Sequence, residues 1–139
     1  MDKRTQWLAF GAVVVIVVAA GYFLFFQPPA VENNPESSFI YFFYLPTCPH
    51  CHEQMEKLNP VLEREYGVKI SKHDVSQGAG KELFDRMIAE RGWEGYVPVT
   101  LVGNSTFVGY NETIGEEITA AVADCVARKC ADPVTGAAV

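Results

Sequence analysis

Positive charge is scarce in this sequence and forms no cluster larger than an adjacent pair such as Lys3 and Arg4: Lys and Arg number 11 against 17 Asp and Glu, a formal net charge of −6. Phosphate is bound through basic patches, so nucleic acid is excluded as an expected partner. The chain has no internal repeat and no low-complexity tract, so its fold is not built by repetition. Residues 7–26 carry no charge of either sign. At about 1.5 Å per helical residue, such a stretch spans the roughly 30 Å hydrocarbon core of a bilayer. Disorder is excluded for most of the rest, because a chain of 139 residues that is 49% hydrophobic and 20% charged can bury a core.

The apolar stretch ends Tyr22-Phe23-Leu24-Phe25-Phe26, with Pro28-Pro29-Ala30 shortly after. A cleaved secretory signal ends instead on small residues after a shorter apolar run, so this segment is expected to remain as an anchor. Lys3 and Arg4 flank its amino end, whereas the first basic residue on the other side is Lys57. The positive-inside rule then leaves residues 1–6 in the cytoplasm, residues 7–26 across the membrane and everything later outside. Residues 27–37 (QPPAVENNPES) hold three prolines and no apolar period, as a tether does. Residues 38–139 are left as the globular domain; beyond residue 26, 9 basic residues face 16 acidic ones, which favours solubility.

Within that domain, residues 39–45 (FIYFFYL) form an unbroken aromatic and β-branched run bounded by serines and Pro46, as suits a strand buried on both faces. Residues 51–66 show helical spacing through Met55, Leu58, Val61 and Leu62, with a kink expected at Pro60 and a stop at Gly67. Residues 68–75 alternate like a half-exposed strand, and residues 81–91 carry Leu83, Phe84, Met87 and Ile88 on one helical face before Gly92. Residues 98–102 and 106–110 flank Gly103-Asn104-Ser105 as a hairpin does. A last helix is expected behind a capping box of Thr113 and Glu116, with Arg128 and Lys129 at its carboxyl end. The order strand, helix, strand, helix, strand, strand, helix implies an α/β domain with one mixed sheet covered by helices.

Cys48-Pro49-His50-Cys51 falls between the first strand and the first helix. A cysteine at a helix start meets unpaired N–H groups and the positive end of the dipole, which stabilise its thiolate and lower its pKa from about 8.5 into the range ~3.5–7.5. Cys48 is therefore the expected nucleophile and Cys51, one turn inward, the resolving thiol. Pro49 suits an early helical position. His50, when protonated, adds to the field that favours the thiolate.

The motif and the order of elements together resemble the thioredoxin superfamily over residues 38–130, and Pro49-His50 matches the dipeptide of DsbA-type disulfide oxidases. The resemblance implies a thioredoxin fold with a βαβαββα order and a four-stranded mixed sheet. It also implies a cis proline at Pro98, fifty residues after Cys48, and a substrate contact through the backbone of Val97. The implied activity is thiol–disulfide exchange, without a bound cofactor, on cysteine-containing exported proteins. A quinone-linked oxidase would restore the disulfide, or a membrane thiol transporter would supply electrons if the chain works as a reductase. Phe42 stands where family members often hold a buried acid, and the spacing leaves no room for the large helical insertion of DsbA-type proteins.

Other chemistry remains open to these residues. With His52 the motif reads Cys-Pro-His-Cys-His, which also fits covalent c-type haem attachment. Cys48, His50, Cys51 and His52 are suitable metal ligands by type, and the vicinal pair could be a purely structural bridge. Cys125 and Cys130 would need the last helix to end near Arg128 before they could bond as a terminal clamp; a second redox relay is the alternative. Asn104 and Asn111 each begin an N-glycosylation acceptor pattern, although turn and cap chemistry also explains them. Trp93 and Tyr96 precede Val97 as candidates either for a substrate groove or for packing.

Overall fold

A computed structural model describes residues 38–139. The expected cytoplasmic residues 1–6, membrane span 7–26 and tether 27–37 lie outside the described residues, among which no helix is long and apolar enough to cross a membrane.

The elements are β1 (Ile40–Tyr44), α1 (Pro49–Lys57), α2 (Asn59–Tyr66), β2 (Ile70–Asp74), α3 (Gly78–Arg91), β3 (Val99–Val102), β4 (Ser105–Val108) and α4 (Glu112–Arg128). They build one four-stranded sheet in the order β2-β1-β3-β4. β1 pairs parallel with β2, from Ile40 opposite Ile70 to Tyr44 opposite Asp74, and antiparallel with β3, where Phe42 faces Thr100. β4 continues the sheet antiparallel to β3. This is the mixed four-stranded thioredoxin-like arrangement expected from the motif and element order.

The period of two along β1 divides the core. Ile40 and Phe42 pack with Val102, Cys51, Leu58, Leu62, Ile118 and Val122 on one face, which places α1, α2 and α4 there. Tyr41 and Phe43 pack with Val99, Leu101, Phe84 and Met87 on the other, against α3. Covered on both sides, β1 can be continuously apolar, and Ile40, Phe42 and Phe43 are fully buried.

Three local expectations are corrected. The helix expected over residues 51–66 begins at Pro49 and is interrupted at Leu58, which ends α1 and starts α2. Pro60 cannot donate to the carbonyl four residues back, and the break expected from it falls at Leu58, which stays in the α-helical region, donates to Gln54 and accepts from Leu62 N–H at 3.0 Å. The cap of α4 is Asn111, whose Oδ1 accepts from Ile114 N–H at 2.8 Å, so Thr113 lies inside the helix. Asparagine in extended backbone is a stronger cap than threonine, and it comes first in the chain. α3 starts three residues before Lys81; Gly80 passes so close to the Asp74 carbonyl that a Cβ there would collide with it.

The last helix ends where the second cysteine pair requires. Lys129 takes a left-handed conformation at φ 56°, α4 stops at Arg128, and Cys125 and Cys130 are disulfide-bonded with Cα atoms 4.8 Å apart. The bridge lies against the β3–β4 turn, where Gly103 has φ 54° and an added Cβ would come within 3.0 Å of Cys125 Sγ. Beyond it, residues 131–139 fold back in a strap that no sequence pattern announced. Asp132, 2% exposed, accepts from Tyr41 O–H at 3.0 Å and from the N–H groups of Val134 and Thr135. Burial first, then the Asp132 hydrogen bond and charge, push the Tyr41 phenol up to about 12. Arg91 donates to the Pro133 carbonyl at 2.9 Å, so the strap is also held by α3.

Replacing Cys125→Ala together with Cys130→Ala is expected to cost about 2 kcal/mol, as loop entropy for so short a ring implies. That corresponds to a melting temperature lowered by roughly 10 °C. An unchanged melting temperature in oxidising buffer would contradict the clamp.

Candidate active site at the start of the first helix

The site begins where β1 leaves the sheet. Leu45, Pro46 and Thr47 turn the chain, and Cys48 N–H donates to the Leu45 carbonyl at 3.1 Å. His52, one turn into α1, donates through Nε2 to the Pro46 carbonyl at 2.5 Å and ties the turn to the helix. Cys48 is the N-cap, extended at φ −87° and ψ 115°, with Pro49 supplying the fixed φ of the first turn. Its Sγ accepts the N–H of Cys51 at 3.2 Å, so a helix N–H that has no partner within the helix is satisfied by sulfur.

Cys48 and Cys51 form a disulfide with Cα atoms 5.2 Å apart. The two sulfurs differ in access: Cys48 is half-buried, whereas Cys51 is fully buried against the sheet. An incoming thiolate therefore meets Cys48. Val97-Pro98 is a cis peptide, and the Val97 carbonyl lies 3.9 Å from Cys48 Sγ. The structure thus brings Cys48, Cys51, Pro49, Val97 and Pro98 together.

His50 is placed differently. Its ring is largely exposed, and Nδ1 faces Glu53 Oε2 at 3.8 Å. Glu53 also pairs with Lys57 at 2.8 Å, and that ammonium, more than His50, holds the carboxyl below its usual range. Trp93 packs on Phe84 with ring centroids 6.1 Å apart, while Tyr96 is 65% exposed beside Val97. Cys125 and Cys130 stand at the far end of β3 from Pro98, roughly 17 Å of strand away, which removes them from direct exchange with Cys48. Asn104 sits in the hairpin turn and Asn111 caps α4, the local roles that turn and cap chemistry implied.

A haem-binding His52 would need its ring nitrogen for iron, but Nε2 is engaged by Pro46. Among the described residues no group of three or more His, Cys, Asp or Glu side chains is arranged to hold a metal ion.

Sequence reasoning missed the polar residues beneath the disulfide. Gln54, Asn59 and Thr100 are each at most 2% exposed, and Gln54 Nε2 donates to Thr100 Oγ1 at 2.7 Å, tying α1 to β3. The spacing Cys51, Gln54, Leu58, Leu62 is the buried stripe of the helices, and a glutamine within it was the available signal.

No family model matches the sequence, and no curated protein matches it. Among solved structures, a glutaredoxin from Archaeoglobus fulgidus aligns at 25% identity over 58% of this chain and 84% of that one, with a TM-score of 0.45. A buckwheat glutaredoxin–glutathione complex aligns at 13% identity over 66% and 78%, with a TM-score of 0.46. The holo form of a glutaredoxin from Populus tremula x tremuloides aligns at 17% over 69% and 85%, with a TM-score of 0.48. The fold is read from the strand order and connections themselves. Fold and site together describe a thioredoxin-like sheet with a Cys48–Cys51 disulfide at a helix start, a geometry able to carry dithiol–disulfide exchange.

Cys51→Ala is expected to accumulate mixed disulfides through Cys48, seen as thiol-sensitive bands on non-reducing gels. If Cys48→Ala accumulates them instead, the roles of the two sulfurs are reversed.

Proposed function

We propose that this chain is a membrane-anchored thiol oxidase that passes disulfides to cysteines of exported proteins outside the cytoplasmic membrane. The observation that carries this reading is the hydrogen bond from Cys51 N–H to Cys48 Sγ at the helix start. A substrate thiolate attacks Cys48 Sγ. The Cys48–Cys51 bond breaks, and its electron pair leaves on the Cys51 sulfur, which takes up a proton. A second substrate thiolate then attacks the substrate sulfur of the mixed disulfide, and Cys48 departs as a thiolate. Two electrons pass from the substrate dithiol to the protein.

The helix start favours that departure, because it stabilises the charged leaving group. A thiolate stabilised there lowers the free energy of the reduced protein and so makes the disulfide a stronger oxidant. The backbone of Val97, beside the sulfur, supports a substrate segment laid along it as an added strand. The uncharged residues 7–26 and the basic pair before them support the anchor and its orientation. A quinone-linked membrane oxidase is the partner that would restore the disulfide.

The second reading is a reductase of the same fold and location, fed by a membrane thiol transporter. His50 favours it to the extent that its ring faces Glu53, whose carboxylate tempers the positive field near the motif. The reduction potential of the Cys48–Cys51 pair in glutathione buffers separates the two. A value towards −120 mV is expected, and a value near −270 mV would make the chain an electron donor instead.

A further inference from the structure

Gln54 is an unusual residue to find fully buried in the middle of a helix. It lies one turn after Cys51, and these two are the buried residues of α1. On a helix, side chains three apart are neighbours, with Cβ atoms about 5–6 Å apart, and they lean towards the amino end. Gln54 thus leans towards Cys51. Its amide nitrogen is committed elsewhere, to Thr100 Oγ1 at 2.7 Å and, weakly, to Asn59 Oδ1 at 3.5 Å. Its carbonyl oxygen Oε1 is buried without any hydrogen-bond partner, as is Nδ2 of Asn59, whose own oxygen is turned to the Gln54 amide nitrogen. A buried acceptor left unpaired is costly, and such a group in a folded protein calls for a reason.

The oxidation state of the neighbouring sulfur supplies one. In the disulfide Cys51 carries no proton and has nothing to donate. On reduction it becomes a thiol, and burial in apolar surroundings keeps that thiol protonated. Phe42 occupies the strand position opposite Thr100 and offers no polar atom, so it cannot take the Cys51 proton. Of the other buried polar side chains, Ser38 is bonded to the Ile40 and Lys69 carbonyls, Asp132 to Tyr41 and the strap, Thr100 lies on β3 bonded to Gln54, and Asn59 lies in α2 against the Gln54 amide. Gln54 is the one that shares a helix face with Cys51.

The geometry points to Gln54 Oε1 as the acceptor of the Cys51 S–H in the reduced protein, a positioning residue that is unpaired in the disulfide and satisfied in the dithiol. The inference rests on the exchange reaction proposed above and adds to it a device that favours reduction. When a substrate dithiol breaks the Cys48–Cys51 bond, the electron pair and a proton arrive at Cys51, and the new S–H donates to Gln54. The side chain is held in place for this by Thr100, so a bond from α1 to β3 prepares the site for the reduced state.

A hydrogen bond made in only one of two states moves their equilibrium by roughly fivefold to tenfold. In the full-length chain, Gln54→Leu and Gln54→Met are therefore expected to make the disulfide roughly five- to tenfold harder to reduce against glutathione, about 20–30 mV towards the negative. Methionine keeps the length of the side chain without its amide, so agreement between the two variants separates the lost acceptor from a packing defect. Both are also expected to lose more melting temperature in the dithiol form than in the disulfide form. Thr100→Val, which removes the anchor and leaves the amide, is expected to shift the equilibrium the same way by less.

A purely structural glutamine would lower both melting temperatures equally and leave the redox equilibrium within twofold of the parent, which overturns the inference. A shift towards easier reduction also overturns it, because the amide N–H would then face the sulfur. If the parent Cys48–Cys51 pair itself fails to equilibrate with glutathione, the exchange reaction is what has failed, and that result is distinct from a parent that titrates alongside unshifted variants.

Discussion

The hydrogen bond from Cys51 N–H to Cys48 Sγ depends on where the chain changes from strand to helix, and much of the domain serves to fix that point. β1 is held in the sheet interior by β2 and β3 and covered on both faces, so its carboxyl end has little freedom. The three-residue turn after it is closed by Cys48 N–H on Leu45 and by His52 on Pro46, and Pro49 fixes the first helical φ. A sulfur placed there receives a backbone N–H and the helix dipole together. Neither effect needs a charged side chain nearby, which is consistent with an exposed His50 that faces Glu53.

The domain separates stability from chemistry along β3. At one end, cis Val97-Pro98 lies beside the accessible sulfur. At the other, Gly103 lies against the Cys125–Cys130 bridge, which ends α4 and starts the strap anchored by Asp132. A bridge so placed stiffens the chain terminus without entering the exchange site. Between the two ends, Thr100 carries the bond to Gln54 and so couples the strand to the active-site helix.

The aromatic strand, the hairpin and the placement of Cys48 at a helix start were legible because each depends on local pattern: an apolar run, a glycine turn, a motif after a strand. The cis geometry of Pro98 followed from resemblance alone, since nothing in a Val-Pro pair distinguishes it. The α4 cap went to Asn111 over Thr113 because two adjacent signals competed and the stronger, earlier one won. Gln54, Thr100 and Asp132 were not legible as buried polar residues. Their burial depends on a partner distant in sequence, Thr100 for Gln54 and Tyr41 for Asp132, and one chain read along its length does not display such pairs.

In the reduced protein, the N–H group and dipole at the start of α1 are expected to hold Cys48 as a thiolate. The direct measurement is the pH dependence of Cys48 alkylation in the reduced full-length protein, followed by mass of the modified peptide. The expected midpoint lies below about 7.5, in the range of cysteines at helix N-termini. A midpoint near the unperturbed value of about 8.5 would contradict it, since the hydrogen bond from Cys51 would then confer no stabilisation on the charged sulfur.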